Sequence, residues 1–358
     1  MRLTRDDSEM AKGWAILLML THHLFGFGER IPHESPLHEI IFHGYNLDFV
    51  IGQGFGKICV AMFLFLSGYG LATKTVHPRE LPRQMAKRLS GFYLMFWVNL
   101  LIWVPLCFWF SPDTTINAGR FTFGLKKVLD NIILSEPSFS GEWWFGRVYL
   151  LTLAIVWPLL IIILRYWSLC WPFTISALLC GLSPLLHTDY RVGEFLFWQF
   201  AFVVGFSVCR MRDVLPWPVV NSATNRGSHV ILLVITLGAV FGLRRPLGFQ
   251  ADWLFAPVVI WLLAQLTGFI SVKGRRLLDW LGRYSGHMWL NHTFFIYYLF
   301  PRWFYSFSSH IVTFVVLLAA SGCSAVATKW AADRLTALTA GWFETRSPKQ
   351  VPSGYTPA

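Results

Sequence analysis

Lys12 and His23 bracket the first apolar run of the chain, KGWAILLMLTHH, which begins on a cation and ends on two imidazoles. The eleven positions between them make close to three turns of helix, about 16 Å of rise, so both side chains fall on one face. His22 lies about 80° away on the same count, which makes His23 the residue aligned with Lys12. An imidazole, with an ordinary pKa of about 6.5, can take a proton from an alcohol near neutral pH, so His23 is a candidate general base. Ionisable groups inside a membrane helix are costly and tend to face a bundle interior or an aqueous cavity. The plainer alternative is an imidazole hydrogen-bonded within the bundle for packing alone.

Other residues join this candidate. Arg83, Lys87 and Arg88 fall in PRQMAKRLS; the first two are four apart, a cationic helix face suited to phosphate. Topology signalling explains the same cluster. Glu142 and Trp144 lie in SGEWWFGRVYLL, either as a membrane-border anchor or as pocket lining. Ser67, in FLSGYG, has no histidine or acid close in sequence, so it is a packing or pocket group and not a nucleophile. A second polar patch, RYSGHMWLNH, carries His287, Asn291 and His292. No metal is expected: His33, His38 and His43 step by five, which turns a helix by about 140° and leaves them on different faces. The six cysteines show no C-x-x-C spacing, so neither a zinc site nor a disulfide frame is indicated.

The elements that must hold these residues are membrane helices. Of the 358 residues 55% are hydrophobic and only 14% charged, well below the roughly one quarter charged of a soluble domain. The spacing predicts an all-α polytopic protein of about ten transmembrane helices, at 11–27, 56–73, 89–110, 144–164, 168–186, 194–209, 229–243, 252–270, 280–300 and 309–331. Glu194, Gln199, Asp252 and Gln265 are the polar exceptions in the later spans. Residues 1–340 read as one transmembrane domain and 341–358 as a disordered cytoplasmic tail. With both termini cytoplasmic, nineteen of the thirty Lys and Arg fall inside and ten outside, as the positive-inside rule asks. The net charge of +11 is therefore a topology signal, not a sign of nucleic acid.

Taken together, the motifs resemble the acyltransferase-3 family of integral membrane acyltransferases over nearly the whole chain. Lys12-Gly13 with His23 matches the opening Lys/Arg-Gly and histidine. Phe63 to Tyr69 matches F-x-x-S-G-[FY], and Trp144-Phe145 matches a Trp-Phe opening a middle span. Leu281, Gly282, Ser285, Trp289, Leu290 and His292 match the late L-G-x-x-S and L-x-H pattern. The family's Arg-x-x-Arg pair is met by Arg88 alone: Met85 stands three before it, leaving Arg83 or Lys87 to supply the other cation.

The resemblance implies transfer of an acyl group, most often acetyl, from cytoplasmic acyl-CoA to a hydroxyl of a cell-surface or lipid-linked glycan, in a bacterial cytoplasmic membrane. His23 would be the base, Lys12, Arg83, Lys87 and Arg88 the CoA-phosphate cations, and His22, Ser67, Glu142, Trp144, Asn291 and His292 the pocket. Direct transfer and an acyl-histidine intermediate both stay open, as do the acceptor, the acyl chain length and the oligomeric state. The alternative function is a transporter or flippase for a glycan or small anion, with His23 as a proton relay.

Overall fold

The structure, a computed structural model, describes residues 1–37, 39–42, 45–74, 76–185, 190–214 and 226–344. Among the described residues the regular structure is helical apart from a short antiparallel ladder, Ile41–Phe42 with Tyr45–Asn46. His38 and His43 of the stepped histidine set lie outside the described residues, as does the tail from 345.

The first helix, α1 (Arg5–Phe25), is set by a capping box: the Thr4 hydroxyl accepts from the Asp7 amide at 3.1 Å, and the Asp7 carboxylate accepts from the Thr4 amide at 2.9 Å. Acidic Asp6 and Asp7 open it, in the sense the helix dipole favours, and His22 and His23 close it. Next come α2 (Leu47–Ala72) and α3 (Leu81–Phe110). The short α4 (Leu125–Ile133) exposes Leu125, Leu129 and Ile133 along one stripe. Its last carbonyls, of Ile132 and Ile133, accept from the Trp97 indole and the Tyr93 hydroxyl of α3, a helix built to lie along an interface. Further on are α5 (Gly141–Ile163), α6 (Cys170–Leu182), α7 (Tyr190–Arg210), α8 (Arg226–Leu247) and α9 (Asp252–Thr267). The chain closes with α10 (Val272–Thr293), which widens into a π-helical segment to Leu299, the short α11 (Pro301–Phe304) and α12 (His310–Glu344).

Each of the ten stretches expected from hydropathy contains helix among its described residues. By length and apolarity, six helical stretches among the described residues suffice to cross a membrane: Leu47–Ala72, Leu81–Phe110, Gly141–Ile163, Tyr190–Arg210, Gly227–Thr267 and His310–Leu338. The fifth of these contains both α8 and α9, joined by a tight turn at Gly248–Ala251. α1 and α10 fall outside this set, which is limited to apolar windows with few charges.

Two boundaries differ from the sequence reading in ways that matter for the site. α2 begins at Leu47 instead of 56, because residues read as loop form a π-helical segment, Val50–Phe55, followed by a 3-10 turn, Gly56–Ile58. Three glycines in GQGFG concealed it. One is required by close approach: a Cβ on Gly56 would sit 2.7 Å from the Leu18 carbonyl and from the His22 Cβ. α10 likewise starts at Val272, before the expected 280, since its polar first turns, KGRR, are helical without being apolar. It lies so close to α1 that a Cβ on Gly13 would strike the Leu278 carbonyl. Small residues at such crossings let membrane helices meet backbone to backbone.

Candidate active site

These contacts bring the end of α1 to the wall of a cavity of about 680 Å³. His22, His23 and Met19 come from α1, Lys57, Val60 and Phe63 from α2, and Glu142, Trp144 and Phe145 from α5. Glu194 and Trp198 come from α7, Phe249 and Gln250 from the turn between α8 and α9, and Trp289 from α10.

Three imidazoles meet here. The His22 and His23 rings are 4.8 Å apart at their centroids, and so are those of His23 and His292. His22 Nδ1 is 2.9 Å from the Gly52 carbonyl, so it carries the proton and donates. His292 Nδ1 likewise donates to the Trp289 carbonyl at 2.9 Å, which leaves its buried Nε2 as a lone-pair acceptor with no partner among the described residues. His23 Nδ1 is also buried with no partner among them, while its ring lines the cavity. The main chain beneath is clamped: the Tyr297 hydroxyl donates to the His23 carbonyl, and the Tyr305 hydroxyl to the Leu24 carbonyl at 3.1 Å. Two of the free carbonyls in the last turn of α1 are thus satisfied by side chains from late in the chain.

Beside the imidazoles, Arg30 Nη1 donates to Glu142 Oε1 at 2.7 Å, and the Tyr298 hydroxyl donates to Glu142 Oε2 at 2.9 Å. The guanidinium lies 4.1 Å from the Phe27 ring centroid and 4.8 Å from that of Tyr297. Burial works against the Arg30 charge. The Glu142 carboxylate and the neighbouring tyrosines more than offset it, so its pKa moves up from the ordinary value. Glu142 is therefore the counter-ion of a loop cation, held as well by the Tyr298 hydroxyl and, at 3.4 Å, by that of Ser140. Replacing it with glutamine keeps the shape but leaves Arg30 unpaired in a partly buried site. E142Q is expected to lower catalytic efficiency, kcat/KM, by about ten- to a hundredfold, because breaking a charge-assisted hydrogen bond costs about 1.5–3 kcal/mol. Steady-state rates of E142Q against wild type check this.

Of the sequence-derived site residues, His22, His23, Glu142 and Trp144 line the cavity, and His292 touches it through His23. Ser67 does not line it: its hydroxyl donates to the Phe63 carbonyl at 2.8 Å, one turn back. Asn291 is turned away toward α12, donating to Ser324 Oγ at 3.0 Å. None of the four cations assigned to CoA reaches the histidine cavity. Lys12 pairs with Glu9 at 3.1 Å, Arg83 and Lys87 are exposed, and Arg88 lies over the Trp157 ring at 5.4 Å. The sequence reading missed Arg30, Lys57 and Phe249. Glu194 had been noted as a polar exception, and Arg147, at 2.7 Å, proves to be its partner. Among the described residues, no group of three or more His, Cys, Asp or Glu is placed to hold a metal ion.

A polytopic helical membrane protein with imidazoles gathered in a cavity is the class that this fold and site define. Within it, the chain belongs to the acyltransferase-3 family: the family model described as an acyltransferase domain matches residues 6–332 of the 358. Membership brings acyltransferase function in general, and favours it over transport. No curated protein and no solved structure matches the chain.

Proposed function

We propose that this protein moves an acyl group, most often acetyl, from cytoplasmic acyl-CoA to a hydroxyl of a cell-surface or lipid-linked glycan, with His23 as general base. The setting proposed is a bacterial cytoplasmic membrane, crossed about ten times with both termini inside. The observation that carries the reading is the pair of ring nitrogens, on cavity-lining His23 and on His292 behind it, that have no hydrogen-bond partner among the described residues.

In this scheme His292, its Nδ1 committed to the Trp289 carbonyl, turns Nε2 to accept from the Nδ1–H of His23 once substrate is bound, a bond not made in the substrate-free arrangement. That choice of tautomer leaves His23 Nε2 free to take the proton of the acceptor hydroxyl. The alkoxide oxygen then bonds to the thioester carbon, the carbon–sulfur bond breaks, and the departing thiolate takes the proton from His23. Positive charge or hydrogen-bond donors must meet the tetrahedral oxyanion between these events. The aromatic walls, Trp144, Trp198 and Phe249, suit the flat apolar faces of sugar rings. Lys12, Arg83, Lys87 and Arg88 remain the cations proposed for the CoA phosphates, outside the cavity on the donor's approach.

The test is to incubate the purified protein with labelled acetyl-CoA and candidate glycans, following CoA release and label transfer. Transfer to no hydroxyl acceptor, or transfer unaffected by loss of the imidazoles, would overturn the reading. In the same assay H292A is expected to lower kcat about a hundredfold, since it removes the group that orients the base. H292N, which keeps an acceptor, should recover part of the loss. A merely structural His292 would show no such recovery.

A further inference from the structure

The charges around the cavity do not cancel. Arg30 is spent on Glu142, and Glu194 on Arg147, each at 2.7 Å. Lys57 is left. Its ammonium stands 4.0 Å from the centroid of the Phe249 ring, at the same wall as His22 and His23. Among the described residues it has no carboxylate within ion-pair distance.

The acid that acts electrostatically on Lys57 is Asp252, but that carboxylate is already engaged. Arg244 takes both of its oxygens, Nε to Oδ1 at 2.5 Å and Nη2 to Oδ2 at 2.9 Å. A third arm, Nη1, donates to the Gly54 carbonyl of α2. Asp252 and Arg244 are both buried, so the pair is a closed unit and Lys57 keeps a net positive charge beside it. An ammonium drawn out of water with only a ring face for company is under-compensated. A ligand anion entering the cavity would complete it. Gln250, on the same wall, adds a neutral side chain able to donate.

We propose that Lys57 docks an anionic group, carboxylate or phosphate, carried by the acceptor, so that the hydroxyl acylated belongs to an acidic sugar and not a neutral one. This rests on the acyl-transfer reading for what occupies the cavity, but its test is binding alone. The probes are methyl glucoside, the corresponding methyl glucuronide, and a phosphate ester of the same glucoside. Their affinities for the detergent-solubilised full chain are read from the fluorescence of the cavity tryptophans. Wild type is expected to bind at least one charged probe about tenfold or more tighter than the neutral one, the size of a hydrogen bond to a charged group. Which of the two wins separates carboxylate from phosphate.

K57Q should erase the difference and K57R should keep it, with size-exclusion profiles showing that both variants fold. Equal affinities for charged and neutral probes, no measurable binding of either charged probe, or a preference surviving in K57Q would each overturn the proposal. Transfer from acetyl-CoA is measured separately. Intact transfer without charge preference would sink the anion site alone, whereas charge preference without transfer would sink the acylation reading alone.

Discussion

H23A and H23Q are expected to reduce acyl transfer by about 10²–10⁴-fold, the range of a lost general base, in a protein that still inserts and folds. The expectation follows from the place of the ring. Its backbone carbonyl is held by Tyr297 and its neighbour's by Tyr305, so the helix end keeps its position whatever side chain stands at 23. The imidazole itself makes no hydrogen bond within the described structure, so its loss removes chemistry more than scaffold. Added imidazole should restore part of the rate in H23A, since the cavity that held the ring is open to small molecules, and should do less in H23Q, where the longer side chain fills the gap. Labelled-acetyl transfer with and without imidazole is the measurement. Turnover at the wild-type level in either variant would return His23 to packing.

R244L is expected to lower stability by about 3–5 kcal/mol, because it leaves the Asp252 carboxylate buried and uncompensated. Asp252 is fully buried, and no other cation is ion-paired to it among the described residues. The substitution also strips the Gly54 carbonyl of its donor, loosening the start of α2 where Gly52 holds His22. Thermal unfolding in detergent should show a large fall for R244L. The double variant R244L/D252L should recover much of it, since a buried pair replaced by apolar side chains of similar volume is often neutral or better. A single variant as stable as wild type would show that the pair is not sealed from water.

Much of the scaffold was legible from hydropathy, and the reason is physical: a lipid-facing helix must be apolar over its whole length, so its position is written locally. α1 was readable down to its two terminal imidazoles. The start of α2 was not, because glycines that serve close approach to α1 look like loop glycines when the neighbouring helix is unseen. The charged partners were the least accessible. Asp252 stood out as an acid in an apolar run, yet Arg244 was counted only as a topology cation, although just eight positions separate them. Arg30 and Glu142 are 112 positions apart, and nothing in either segment names the other. Ser67 and Asn291 show the converse. Residue type suggested a pocket, but the helix face decided otherwise, turning one to its own backbone and the other to α12.

The separation of these partners along the chain also fixes when the site exists. His23 is clamped by Tyr297, 274 positions later, and its neighbouring imidazole comes from position 292. Such non-local closure makes assembly a late event, after loop entropy has been overcome for most of the chain. During synthesis the first helices therefore enter the bilayer as inert matter. The nascent polypeptide has no complete histidine cluster until its final third has emerged from the ribosome and docked.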